Sequence, residues 1–225
     1  MTRLPALQVE RVVNLHFGSN TYLLTRLGSP NCLVIDPGDG ADFQFADRVE
    51  KQGGRIEYAL LTHEHFDHVS GLSAVKERWS CQVICSRECS AAITDPTRNF
   101  SRYLVQRDVV CEKADLVCED LGRSLDWWGD RVRFIPTPGH SPGSICIAIE
   151  NLLFTGDCLL PNVKRITKLP GGDKEALEKS LTLILDTFGP ETQVCPGHGE
   201  PFRLKDANFN TLAAVDQLRV PGGKV

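Results

Sequence analysis

Thr62-His63-Glu64-His65-Phe66-Asp67-His68 sets, besides Glu64, three imidazoles and a carboxylate at the end of an apolar run, Ile56 to Leu61, that reads as a buried strand. Side chains alternate along extended chain, so His63 and His65 point to the same place. Glu64 points away from them and is expected to be solvated or to support them from behind. Asp67 and His68 continue into a tight turn. Four such groups in so short a stretch cannot all be buried unpaired, because each would leave a costly polar atom. A metal ion satisfies them together.

Three further segments present the same kind of donor in the same kind of place. Pro138-Gly139-His140-Ser141-Pro142-Gly143-Ser144 is a rigid turn around a histidine. Thr155-Gly156-Asp157 follows the apolar strand Leu152 to Phe154, and Cys195-Pro196-Gly197-His198-Gly199 ends another strand on a glycine-flanked histidine. Imidazole and carboxylate suit zinc, with iron and manganese also compatible. His63, His65, Asp67, His68, His140, Asp157 and His198 are too many for one tetrahedral ion. They divide into two sites of three or four donors, each with an open place for water, as catalytic sites have. His16 lies outside these motifs and reads as a partly exposed turn residue beside Phe17-Gly18.

The rest of the chain supplies the frame. Val9 to Leu15 and Thr21 to Leu27 read as strands joined by a turn at Gly18-Ser19-Asn20, and Asn31 to Ile35 as a third. Ala41 to Gln52 has helical spacing and stops at Gly53-Gly54. Ser70 is placed to cap a helix reaching Trp79, and Cys81 to Cys85 reads as a strand. Residues 86 to 130 are polar and partly helical. Strands are expected at Arg131 to Ile135, Ile145 to Ile149, Leu152 to Phe154 and Gln193 to Cys195, and helices at Lys174 to Phe188 and Lys205 to Leu218. Strands that alternate with helices yet group in pairs suit sheets covered by helices.

Composition narrows the class. The 225 residues suit a single domain, 1–225, and 41% hydrophobic with 24% charged residues is ordinary for a globular chain. No window is apolar enough for a transmembrane helix, and the first ten residues lack a signal-peptide core. The net charge of −4 argues against nucleic acid as a partner. The nine cysteines are an odd number in a chain too large to need staples, which predicts free thiols and a reducing, cytoplasmic setting. Cys81, Cys85 and Cys89 match no metal spacing and are expected to be buried thiols.

In order and spacing, Thr62-His63-x-His65-x-Asp67-His68, Gly139-His140-Ser141-Pro142-Gly143, Gly156-Asp157 and Pro196-Gly197-His198-Gly199 resemble the motifs of the metallo-β-lactamase superfamily. Asn20-Thr21-Tyr22 and Ile35-Asp36-Pro37-Gly38 fit as well. The resemblance implies an α/β fold, the four-layer αββα sandwich of two mixed β-sheets flanked by helices. It implies that His63, His65 and His140 hold one metal, that Asp67, His68 and His198 hold a second, and that Asp157 bridges them. The chain is most similar to the glyoxalase II-like branch, where an aspartate takes the bridging position. Cys158 is expected to point the other way. Full-length glyoxalase II adds a C-terminal helical region that holds glutathione. Here the sequence after Leu204 has room for one helix, which argues against a glutathione thioester.

Two zinc ions would lower the pKa of a bound water so that hydroxide is available at neutral pH. The resemblance thus implies hydrolysis of a thioester, lactone or similar activated acyl bond, with Asp67 orienting the nucleophile and taking up its proton. The superfamily's persulfide dioxygenases, which use one iron on two histidines and an aspartate, are the alternative, and intact His198 favours two metals. Its RNA-processing members carry a large insertion for which this chain has no space. Lys164 and Arg165, on the loop after Asp157, are expected to bind an anionic group of a small-molecule substrate.

Overall fold

The computed structural model describes residues 6–51, 53–161 and 167–207. Two six-stranded sheets lie face to face. The first runs β1 (Leu7–Val13), β2 (Asn20–Arg26), β3 (Asn31–Ile35), β4 (Arg55–Leu60), β5 (Gln82–Cys85) and β6 (Leu116–Val117) in that spatial order. Its first three strands pair antiparallel and the rest parallel. The second holds β7 (Ser124–Trp127), β8 (Asp130–Pro136), β9 (Ile145–Ile149), β10 (Leu152–Gly156), β11 (Gln193–Pro196) and β12 (Phe202–Arg203). There only β10 and β11 run parallel. Both sheets are therefore mixed.

Period-two alternation assigns the two faces of each sheet to different cores. Tyr22, Leu24, Leu33, Ile35, Leu60 and Ile84 meet Trp127, Phe134, Ile147 and Phe154 between the sheets. Leu23, Val34 and Ala59, offset by one residue, pack outward. They meet Phe45 and Val49 of α1 (Ala41–Lys51) and Val75 and Trp79 of α3 (Leu72–Trp79). Ala148, Leu153 and Val194 face the opposite way, onto Leu177, Leu181 and Ile184 of α6 (Lys174–Thr187). The order is helix, sheet, sheet, helix, the αββα sandwich expected.

Several boundaries differ from expectation. The helix reaching Trp79 starts at Leu72 with Gly71 at its N-cap. Ser70 instead ends the preceding single turn, α2 (Phe66–Val69). The polar stretch holds two short helices, α4 (Arg87–Ala92) and α5 (Ser101–Leu104), and the strands β6 and β7, which close the edges of different sheets. Of the expected helix from Lys205 to Leu218, the described part is one 3-10 turn at Leu204–Asp206, and the rest lies outside the described residues. All nine cysteines are free and buried. Among the described residues no helix is long and apolar enough to cross a membrane.

Candidate metal centre

The four donor segments meet at one end of the sandwich, stitched by backbone hydrogen bonds. The Ile145 amide donates to the Thr62 carbonyl at 2.8 Å, the Gly197 amide to Gly156 at 2.8 Å, and the Asn20 amide to Gly197 at 2.7 Å. His63 and His65 follow β4 in extended chain. The single turn of α2 then folds Asp67 and His68 back beneath them, with the His68 amide donating to the His65 carbonyl at 3.0 Å. Glycine is required at Gly156 and Gly197 among other positions. A Cβ on Gly156, whose φ is +48°, would overlap Thr62 Oγ1, and one on Gly197 would overlap Asp157 Oδ1.

Three donor groups result, each with its ligand atoms within 4.8 Å of one another: His63, His65 and His140; Asp67, His68 and His198; and Asp36, His63 and His68, which shares one residue with each of the others. In the first, His140 Nε2 lies 2.9 Å from His65 Nδ1. In the second, His68 Nε2 and His198 Nε2 are 3.3 Å apart, and Asp67 Oδ2 is 3.3 Å from His198 Nε2. Asp157 stands between them. Its Oδ2 is 3.6 Å from His140 Nε2 and 3.4 Å from His198 Nε2, and its Oδ1 is 3.6 Å from His68 Nε2. Six of the seven expected donors are buried, while the His198 side chain is 25% exposed, so the cleft opens on its side.

Charge separates the clusters. Burial, reinforced by the neighbouring imidazoles, pushes His63 well below the ordinary histidine range and His65 down to about 3. Both are held as neutral imidazoles, each of which carries one lone pair. Burial also opposes charge on His68 and His198. There the carboxylates win: Asp67, Asp157 and Asp36 raise His68 to about 9, and Asp157 and Asp67 raise His198 to about 10. Burial likewise works against the charge of Asp157 and Asp67, but His68 and its neighbours hold both carboxyls below the usual range.

These residues fit metal ions. His63 Nε2 and Asp157 Oδ1 are buried with no hydrogen-bond partner among the described residues, a costly arrangement that a cation relieves. Facing imidazole nitrogens and interposed carboxylates are borderline to hard donors of the zinc, iron and manganese type.

Asp36 adds a part whose role the sequence did not disclose. It is buried at a φ of +50°, in the left-handed region that Asp and Asn enter more readily than other non-glycine residues. Its Oδ1 accepts from the Thr62 amide at 2.7 Å, and its Oδ2 accepts from Thr62 Oγ1 at 2.6 Å and faces His68 Nδ1 at 3.2 Å. With both oxygens engaged, Asp36 holds His68 from behind, leaving Nε2 to face the cleft. Glu64 is not solvated: it is 4% exposed, and Ser141 Oγ donates to its Oε2 at 3.0 Å. Cys158 packs with Cys146 and Leu177 in the outer core, away from the donors. His16 is exposed and paired with Asp39 at 2.6 Å. Its neighbour Phe17, also exposed, packs edge-on against Phe66 at 5.4 Å. Lys164 and Arg165 lie outside the described residues.

The sequence profile of the metallo-β-lactamase superfamily matches residues 16–198, the span from the first loop to the last donor. The chain belongs to the metallo-β-lactamase superfamily. It is a metal-dependent hydrolase of that superfamily. A probable metallo-hydrolase of Bacillus subtilis (strain 168), YqgX, is 32% identical over 183 residues, which cover 80% of this chain and 85% of the relative. Hydroxyacylglutathione hydrolase GloC of Haemophilus influenzae is 27% identical over 172 residues, 75% of this chain and 80% of the relative. Among solved structures, the BLEG-1 B3 metallo-β-lactamase superposes with a TM-score of 0.80 at 28% identity, covering 88% of this chain and 95% of that one. The di-iron-bound form of TTHA1623 superposes with a TM-score of 0.71 at 27% identity, covering 88% and 96%.

Proposed function

We propose that the chain is a binuclear hydrolase of a thioester, lactone or similar activated acyl substrate, with zinc as its metal. His63, His65 and His140 are the donors of one ion, Asp67, His68 and His198 those of the other, and Asp157 is shared. The observation that carries this reading is the position of Asp157 Oδ2, 3.6 Å from His140 Nε2 and 3.4 Å from His198 Nε2. One carboxylate thus serves both clusters. When bound, the ions would act as Lewis acids and lower the pKa of water to near neutrality.

The chain's own residues do the rest. Asp36 fixes the ring of His68, and Gly156 and Gly197 let the Asp157 carboxylate approach the imidazoles closely. Asp67, at the cleft with Oδ2 toward His198, orients the attacking water and takes its proton. Phe17, exposed and packed on the buried Phe66, offers an apolar face for the acyl part of a small-molecule substrate. The activity carried in the name of GloC supports the thioester class. That relative is matched over 80% of its length, so a glutathione thioester belongs in the substrate panel despite the sequence-based argument against it. An anionic group on the substrate would be met by Lys164 and Arg165. Presence of His198 in the second cluster favours two ions over a single-iron persulfide dioxygenase.

The test is turnover by the zinc-loaded protein on a panel of thioesters, lactones and β-lactams, beside oxygen uptake by the iron-loaded protein on a persulfide. Hydrolysis of one acyl class, abolished by a chelator and restored by zinc, is expected. Oxygen uptake without acyl hydrolysis would establish the dioxygenase instead.

A further inference from the structure

Glu64 sits between two of the proposed ligands in sequence, yet its carboxylate reaches the turn that carries a third. Ser141 Oγ donates to Glu64 Oε2 at 3.0 Å. Ser141 Oγ is in turn 2.8 Å from Ser144 Oγ, which accepts from the Ser141 amide at 3.2 Å. Glu64, Ser141 and Ser144 are each 5% exposed or less. A Cβ on Gly143 would overlap Glu64 Oε2 and crowd the Cys89 amide, so glycine is what admits the carboxylate.

We propose that Glu64 is a positioning residue for His140, fixing the separation of the segment that carries His63 and His65 from the turn that carries His140. The inference rests on the three-histidine metal assignment above. The flanks of the turn are held elsewhere by neutral bonds: Ser180 Oγ to the Pro138 carbonyl, the Asp173 amide to Gly139, and Ser86 Oγ to Gly143. At Ser141, the residue next to His140, the bond from outside the turn goes to Glu64, on the segment that carries His63 and His65. Holding Ser141 from the segment after β4 sets where the His140 ring stands relative to His65. In a metal site such supporting contacts are commonly worth ten- to a hundredfold in affinity.

The experiment compares Glu64→Ala, Glu64→Gln, Ser141→Ala and His140→Ala in competition titrations of Zn²⁺ against a chromophoric chelator, and in the visible spectrum of bound Co²⁺. Glu64→Ala and Ser141→Ala should each weaken one binding step about tenfold or more, leave the other step unchanged and alter the Co²⁺ bands. Glu64→Gln, whose carbonyl still accepts from Ser141, should recover most of the loss. His140→Ala should lose the same step outright. If Glu64→Ala fails to fold, Ser141→Ala decides alone, since it breaks the same bond by removing one hydroxyl. Wild-type binding in the Glu64 and Ser141 variants while His140→Ala loses a step overturns the positioning role and leaves the metal assignment standing. Equal weakening of both steps, or a Gln variant as impaired as Ala, also overturns it. If His140→Ala itself binds both ions like the wild type, the metal assignment fails and this inference fails with it.

Discussion

Replacing Asp36 with asparagine should remove metal from the second site while sparing the fold. Asp36 accepts from the Thr62 amide through Oδ1, and through Oδ2 it meets Thr62 Oγ1 and His68 Nδ1. An asparagine has one acceptor oxygen, and the Thr62 N–H claims it. Its NH₂ then falls where Oδ2 stood, facing His68 Nδ1 as a donor. His68 must answer with a lone pair at Nδ1, which moves its proton to Nε2. Nε2 is the atom 3.3 Å from His198 Nε2 and 3.6 Å from both Asp67 Oδ2 and Asp157 Oδ1, so the ring no longer offers a lone pair to the cleft. A hydrogen bond to a charged group is worth about 1.5–3 kcal/mol, or roughly ten- to a hundredfold and somewhat more in affinity. That agrees with the usual cost of losing a partner behind a ligand. The left-handed backbone at residue 36 suits asparagine as well as aspartate, so the fold should persist. Competition titration with Zn²⁺, with a thermal melt as control, measures this. Two ions bound at wild-type affinity would refute the tautomer argument. So would equal loss at both sites.

Three further outcomes are expected. Asp157→Ala should bind no ion pair and lose turnover while its melting temperature stays near that of the metal-free wild type, because the core around Leu153 and Phe154 does not depend on the carboxylate; two retained ions would end its bridging role. Burial raises the thiols of Cys32, Cys81 and Cys111 to about 11 and those of Cys118 and Cys195 to about 12. The unfolded chain ionises its thiols first, so their contribution is intact below about pH 9 and falls as pH rises toward about 11–12; a urea midpoint equal at about pH 8 and about pH 10.5 would contradict this. Lys164→Ala and Arg165→Ala should raise KM for the best anionic substrate, less so in high salt; unchanged kinetics in both would remove the proposed anion contact.

The fold was legible because its signals are local. Apolar runs such as Leu33 to Ile35 and Ile145 to Ile149 identify strands, and glycine-flanked donors after strands mark the site's end of the sandwich. What escaped were features set by partners far away in sequence. β7 is a polar stretch whose Leu125 and Trp127 are recognisable only against β8 and the opposite sheet. Alternation correctly turned Glu64 away from His63 and His65, yet nothing nearby announces Ser141, 77 residues on, as its partner. Asp36 was visible only as part of a turn. Its grip on Thr62 and His68 arises from the parallel pairing of β3 with β4, which brings the two strand ends together.

The most direct test is the number of zinc ions per chain, measured by elemental analysis after saturation and removal of excess metal, for the wild type and for His198→Ala. Two ions per chain are expected for the wild type and one for the variant, since His198 belongs to one cluster while His63, His65 and His140 stay intact. A wild type that holds one ion or fewer, or a variant that still holds two, would contradict a binuclear centre built on these residues.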